Sequence, residues 1–141
     1  ERPAWLPEWS MRDAVEIGLA RKHADDIGRE AQLAGTFRTD PRVTFGNGVR
    51  HGTAWAVSDL ATSPNRNRAP GPARDVDDVR LEITLTKGKL DHAAERLRPY
   101  GLGYIAGLEW LIADCDVIVY PGGHVYRPDP VTLDGAYPSA S

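Results

Sequence analysis

The chain has 141 residues, the size of a single domain, and is long enough to bury about two thirds of the surface exposed when it is unfolded. Hydrophobic residues make up 41% and charged residues 26%, as in an ordinary soluble globular protein, and no apolar run predicts a membrane span or a signal peptide. The net charge of -3 argues against a protein whose main role is to coat nucleic acid.

Cysteine and arginine usage indicates the setting of the protein. The lone Cys115 excludes an internal disulfide and a multi-cysteine zinc site, and its place before an apolar run predicts a packed, inert thiol in a reducing compartment. Arginine supplies 14 of the 17 basic residues, which favours a GC-rich genome, either a high-GC bacterium or one of its phages. The expected location is the cytoplasm or a virion.

The first regular element is predicted to be a long helix from Ser10 to about Leu33. Ser10 is a favourable N-cap residue, and Gly35 is placed to end the helix. One narrow stripe recurs at helical spacing and should face the core. Its members are Ile17, Ala20, Ala24, Ile27 and Ala31.

A hairpin is predicted next, with strands at residues 43–45 and 49–58. Asn47 and Gly48 lie between them, and this dipeptide tolerates the positive φ angles that tight hairpin turns require. Residues 62–74 contain three prolines and no periodicity, so they are predicted to form a loop.

Residues 79–120 are predicted to form the central unit of the domain. Val79, Leu81, Ile83 and Leu85 alternate with polar residues, which is typical of a strand with one buried face. A helix follows over residues 90–97, and Pro99 and Gly101 are predicted to stop it.

A second, well-covered helix is predicted over residues 102–113, where Glu109 is the only charged residue; a strand over residues 103–110 is the alternative. Gly103 and Gly107 lie one turn apart and should let a neighbouring backbone approach closely. The apolar run at residues 117–120 predicts a central strand in the same sheet as the 79–85 strand, and Pro121 begins the turn of a second hairpin that returns over residues 124–127.

These elements predict an α+β fold. It has a long N-terminal helix, a four- to five-stranded mixed sheet with two hairpins, and two helices between the central strands. An extended arm covers residues 1–9, a single domain residues 10–130 and a tail residues 131–141.

Three irregular segments, the N-terminal arm, the 62–74 loop and the C-terminal tail, carry the residue types that protein interfaces use. Trp5 and Trp9 lie on the arm, where they either anchor a neighbouring chain or pack on the domain's own core. Arg66, Arg68 and Arg74 lie in or beside the 62–74 loop. They either bind a protein partner, pair with the acids at residues 75–78, or contact nucleic-acid phosphates; without aromatic residues nearby, base stacking has no support.

Candidate chemical sites are incomplete. Lys87 and Lys89 flank a glycine, but Leu90 stands where a phosphate-binding loop needs a hydroxyl. Asp114 and Asp116 could hold magnesium or manganese or form an ordinary turn. Glu109 is either a site acid or a water-facing helix edge. We predict no catalytic residue, no metal site and no cofactor.

Two fragments resemble signatures of mono-ADP-ribosyltransferases of the pierisin type. FRTDPRVTFGNG at residues 37–48 resembles the first-strand signature, and DVIVYPGG at residues 116–123 resembles the last-strand signature. The resemblance implies an NAD-dependent transferase in which Arg38 contacts NAD. The chain departs from the pattern because the Ser-Thr-Ser strand is absent and Asp116 stands near the position of the catalytic glutamate.

The favoured function is a non-enzymatic protein–protein interaction or assembly component, such as a phage structural protein, that forms oligomers or binds another protein. An NAD- or nucleotide-dependent enzyme is the alternative. Nucleic-acid contact through the arginine loop is a third hypothesis, and no membrane partner is expected.

Overall fold

The computed structural model describes residues 12, 14–57 and 76–127. Within them four helices follow in order, α1 (Ala14–Ala34), α2 (Pro41–Val57), α3 (Val76–Leu90) and α4 (Arg98–Leu111), before a hairpin of β1 (Ile118–Val119) and β2 (Val125–Tyr126). The strands of this part of the chain hold two residues each. The predicted α+β fold with a four- to five-stranded mixed sheet is therefore wrong, and the described fold is helical.

Helix α1 confirms the predicted N-terminal helix and its buried stripe. All five stripe residues are buried, since they line the face that packs against α2. Gly35 ends the helix with φ of 76°. Its N–H donates to the carbonyl of Gln32 at 3.1 Å, and the N–H of Thr36 donates to the carbonyl of Ala31 at 2.9 Å. This pair of bonds is a Schellman motif, which satisfies carbonyls that the helix end would leave open.

Helix α2 occupies the segment predicted to be a hairpin, so that prediction is wrong. The helix begins where Asp40 accepts a hydrogen bond from the backbone N–H of Arg42 at 2.9 Å, and Pro41 takes the first helical position. Asn47 and Gly48 lie inside the helix rather than at a turn. The N-cap and proline signals are short-range helix signals, and here they prevail over the Asn-Gly turn signal.

Glycines bring the backbones of α2 and α4 into direct contact. A Cβ added at Gly103 would overlap the carbonyl oxygen of Phe45, and one added at Gly48 would overlap the carbonyl oxygen of Tyr100. A Cβ at Gly107 would lie 3.1 Å from the Cα of Val49. The prediction that Gly103 and Gly107 admit a neighbouring backbone is confirmed.

Helix α3 occupies the segment predicted to be the first core strand. Val76, Val79 and Ile83 are buried and recur at i, i+3 and i+7, the spacing of one helix face. Acids lie in the first turn and Lys87 and Lys89 in the last, which complements the helix dipole. Leu81 and Leu85 lie on the exposed face of the helix, opposite the buried Val79 and Ile83. Together the four apolar residues occupy every second position, which is the pattern of a strand.

Residues 90–97 do not form the predicted amphipathic helix. Leu90 ends α3, and residues 91–97 form a mostly exposed connection that ends in a 3₁₀ turn, Glu95–Leu97. Pro99 was predicted to end the helix over residues 90–97. It lies instead in the first turn of α4. Proline suits that position because the first backbone N–H groups of a helix have no intrahelical partner.

Helix α4 lies between α2 and α3, which confirms the well-covered helix predicted for residues 102–113. Arg12 binds its C-terminal end: the guanidinium donates to the carbonyl of Trp110 at 2.6 Å and to that of Cys115 at 3.0 Å. The same guanidinium lies 4.6 Å from the centre of the Trp110 ring. A cation at this end is stabilising because helix carbonyls carry partial negative charge there.

The hairpin after Pro121 is confirmed. Ile118 pairs with Tyr126 and Val119 with Val125 in antiparallel register, and the turn contains Gly122 and Gly123 at φ of 87° and 91°. Since the 79–85 segment is helical, however, the prediction that it shares a sheet with this strand is wrong. Ile118 and Tyr120 are buried and hold the hairpin against the helices.

The glycine contact predicts a sharp difference between two Gly→Ala substitutions. Gly103→Ala should lower the free energy of unfolding by about 3 kcal/mol, because the added methyl meets backbone that cannot move aside. Gly18→Ala in α1, where an added Cβ meets nothing within 4 Å, should raise it by about 0.5 to 1 kcal/mol. Urea unfolding followed by circular dichroism measures both values, and equal stabilities would contradict the α2–α4 packing.

Candidate functional site

The predicted partner-binding residues lie outside the part of the chain that the structure describes. Trp5 and Trp9 fall within residues 1–11, and Arg66, Arg68 and Arg74 fall within residues 58–75. Their roles stay predictions. The arm at residues 1–9 and the tail at 131–141 likewise lie outside the described ranges.

Three of the candidate site residues, Asp114, Glu109 and Lys87, form structural ion pairs. Arg80 binds Asp114 at 2.8 Å, and Lys87 binds Glu109 at 3.3 Å. These pairs join α3 to α4 and to the segment that follows α4. Among residues 12, 14–57 and 76–127, no three histidine, cysteine or acidic residues lie together as a closed metal site would require. Lys87 and Lys89 end a helix and do not form a strand-to-helix loop.

Cys115 is exposed, so the prediction of a packed thiol is wrong. It lies in the segment between α4 and β1 and not under a buried strand. Partial desolvation, together with the nearby carboxylates of Glu109, Asp114 and Asp116, raises the pKa of the thiol. A raised pKa lowers the thiolate fraction at neutral pH and therefore the nucleophilic reactivity of Cys115.

Of the two fragments that resemble ADP-ribosyltransferase signatures, only the second contains a strand. Residues 37–48 form a turn and the first half of α2, so Arg38 does not lie on a strand. Residues 116–123 do contain a strand, β1, followed by the glycine turn. The resemblance thus loses the first-strand context in which its arginine would contact NAD.

The outer face of α3 exposes two large apolar side chains. Leu81 is 59% exposed and Leu85 is 53% exposed, one turn apart, while Val79 and Ile83 on the opposite side of the helix are buried. A surface helix usually places polar residues on the side away from the core. Helix α3 instead has apolar side chains on both sides, as helices with two packed faces do.

A cleft of about 270 Å³ lies along one side of α3, where it meets α4 and the connection between them. Its walls include Leu90 and Leu97 and the rings of Tyr100 and Tyr104. The Tyr104 hydroxyl donates to the Glu82 carboxylate at 2.6 Å. Burial raises the pKa of Tyr100, so its phenol keeps its proton at neutral pH. The cleft therefore offers hydrogen bonding rather than a phenolate base.

Two histidines far apart in sequence meet between α1 and the closing hairpin. The Nε2 atoms of His23 in α1 and His124 in the hairpin turn lie 2.9 Å apart. The ring planes differ by 3° and the centroids are 5.0 Å apart, so the rings meet edge to edge. One Nε2 donates a hydrogen bond to the other, and adding a second proton would place two N–H groups head to head.

Comparison with known proteins gives no relative. No family model matches the chain, and neither a curated protein nor a solved structure matches it. No described helix is both long and apolar enough to cross a bilayer.

The alternation pattern hid the outer leucines of α3. It placed Leu81 and Leu85 on the same buried face as Val79 and Ile83. At helical spacing the two pairs lie on opposite faces of the segment. The acids at its start and the lysines at its end are the signal that could have identified a helix. No spacing could have identified the His23–His124 contact, because 101 residues separate the pair.

The histidine pair predicts that acid weakens the fold. Desolvation, followed by the charge of His124, lowers the pKa of His23 below 6.5, and the charge of Asp26 only partly opposes this. His23 therefore binds more protons in the unfolded chain than in the folded chain as the pH falls below 6.5, and this difference lowers the free energy of unfolding in that window.

Urea midpoints measured on both sides of that window test this prediction. The His23→Gln variant should show a weaker decrease in stability than the natural chain. His92→Gln is the matched control because His92 lies in the exposed connection after α3. An equal decrease in both variants would show that the His23–His124 contact does not govern the acid response.

Proposed function

We propose that this chain is a non-enzymatic protein–protein interaction or assembly component, and that the outer face of α3 is a surface through which it binds another polypeptide. The observation that carries the proposal is the exposure of Leu81 and Leu85 side by side on that face. The expected setting, the cytoplasm of a high-GC bacterium or a phage virion, belongs to the same proposal.

Burial of apolar surface is the main favourable term in protein association, so exposed leucines are a source of binding free energy. A fully buried leucine side chain contributes about 1.5 to 3 kcal/mol. Single exposed apolar residues are common on monomers and need no explanation. Two leucines one turn apart at the centre of a helix face differ from that case because they form a continuous stripe, the pattern by which one helix binds in the groove of another protein.

The surface is also held in place. Val79 and Ile83 anchor α3 on α4, and the Arg80–Asp114 and Lys87–Glu109 pairs fasten its inner edge. A rigid surface binds more tightly than a flexible one because less conformational entropy is lost on association. The side of α3 that faces away from α4 is therefore a preformed binding surface.

Leu81→Glu should weaken association of the full chain, because a carboxylate in an apolar contact loses its hydration without a partner. We expect association to weaken at least about tenfold, since 1.4 kcal/mol corresponds to a factor of ten. Light scattering of the purified protein and size-exclusion chromatography of the host lysate measure the mass of the complexes. The natural chain should form species larger than 15.4 kDa in at least one of them.

Leu33→Glu is the matched control, since Leu33 is an 86% exposed leucine at the end of α1. This variant should associate as the natural chain does. A natural chain that is monomeric in both experiments, or a Leu81→Glu variant that still associates fully, would overturn the proposed function. Circular dichroism should show an unchanged helix content in both variants.

A further inference from the structure

We propose that His23 and His124 together bind one divalent transition-metal ion of the class that takes imidazole ligands, with Cu²⁺ and Ni²⁺ the best fit. The two Nε2 atoms come from positions 101 residues apart in the chain and lie 2.9 Å from each other. The site lies on α1 and the hairpin turn, away from α3, so it adds to the proposed function and does not rest on it.

The distance between the two nitrogens decides which ion fits. An imidazole nitrogen binds such an ion at about 2.0 to 2.1 Å. An ion at that distance from both nitrogens makes an angle of about 90° with them when they are 2.9 Å apart. This is the angle between neighbouring ligands in the square-planar and tetragonal sites of Cu²⁺ and Ni²⁺. A tetrahedral Zn²⁺ site needs nitrogens about 3.4 Å apart, so Zn²⁺ requires a small separation of the rings.

Ion binding replaces the hydrogen bond between the two rings. In the free pair one Nε2 carries a proton and the other accepts the hydrogen bond. When the ion enters, that proton leaves through water and an equal proton is taken up at Nδ1 of the same ring. Both rings therefore stay neutral, and each presents a bare Nε2 lone pair to the ion.

The remaining coordination positions are open to water. Among the described residues no third histidine, cysteine or acid completes the pair. The carboxylate of Asp26, one turn after His23, already binds Lys22 and Arg29 at 3.1 Å and 3.0 Å. The side chain of His124 is exposed, so an ion reaches the site directly from solvent. Binding at such a site is exchangeable.

The bound ion would fasten the hairpin to α1. The ring of His23 is half-buried and packs against the rings of Tyr120 and Tyr126, with centroids 5.4 Å and 4.8 Å away. This packing holds one ligand in place before the ion arrives, which lowers the entropy lost on binding. Since the unfolded chain does not bring the two histidines together, ion binding stabilises the folded chain.

Titration with Ni²⁺ tests the site on the chain without a histidine tag. Isothermal calorimetry should show one Ni²⁺ per chain, and the urea midpoint should rise with the Ni²⁺ concentration. His23→Gln and His124→Gln should each weaken binding at least about tenfold, because each leaves a single imidazole. Mg²⁺ prefers oxygen ligands, so it should leave the midpoint unchanged. An equal rise with Mg²⁺, or variants that bind Ni²⁺ like the natural chain, would overturn the proposal.

Two matched variants separate this site from other donors. His92→Gln and Cys115→Ser should bind Ni²⁺ as the natural chain does, since both residues are exposed and belong to other segments. Loss of binding in either variant would overturn the assignment to the histidine pair.

A spectroscopic readout makes the test independent of any folding defect in the histidine variants. Substoichiometric Cu²⁺ is paramagnetic and broadens the NMR signals of the rings nearest to it. In the Cys115→Ser chain, which has no thiol to reduce Cu²⁺, the ring signals of His23 and His124 should broaden before those of His51 and His92. The reverse order, or a natural chain that binds no Ni²⁺ at about 1 mM, would overturn the site.

Discussion

Direct contact between the backbones of α2 and α4 is the constraint on which the described fold depends. Gly48 and Gly103 lie where the helices cross, and each faces a carbonyl oxygen of the other helix with no room for a methyl group. Close crossing increases dispersion contacts along both helices, each one weak and their sum large. It also explains why a helix so rich in glycine is stable, since packing compensates for the low helix propensity of that residue.

The same crossing distributes the apolar surface of the molecule. The glycine face of α4 is used by α2, which leaves its large side chains, Leu108, Trp110 and Leu111, to fill the remaining core. Helix α3 covers the other side of α4, and only one face of α3 takes part in that contact. Leu81 and Leu85 lie on its other face, outside the core, and their exposure is the physical basis of the assembly function that we propose.

Features set by interactions between residues close in sequence could be predicted, and features set by packing between distant segments could not. The α1 helix, its Gly35 terminus and the turn after Pro121 were foreseen because capping and turn preferences act within a few residues. The segment 79–86 was misassigned because a helix with apolar residues on opposite faces can imitate the two-residue period of a strand. The outer-face site was missed for the same reason, and the partner-binding residues predicted on the arm and loop lie beyond the described ranges.

Residue order was sufficient to place the first helix, the well-covered helix that contains Gly103 and the closing hairpin. Only the assembled structure decided that Asn47 and Gly48 continue a helix, that Leu81 faces outward and that His23 meets His124. The reason is one of energy and distance. Intrinsic preferences differ by less than about 1 kcal/mol per residue for most side chains, whereas packing between distant segments contributes more and is absent until those segments meet.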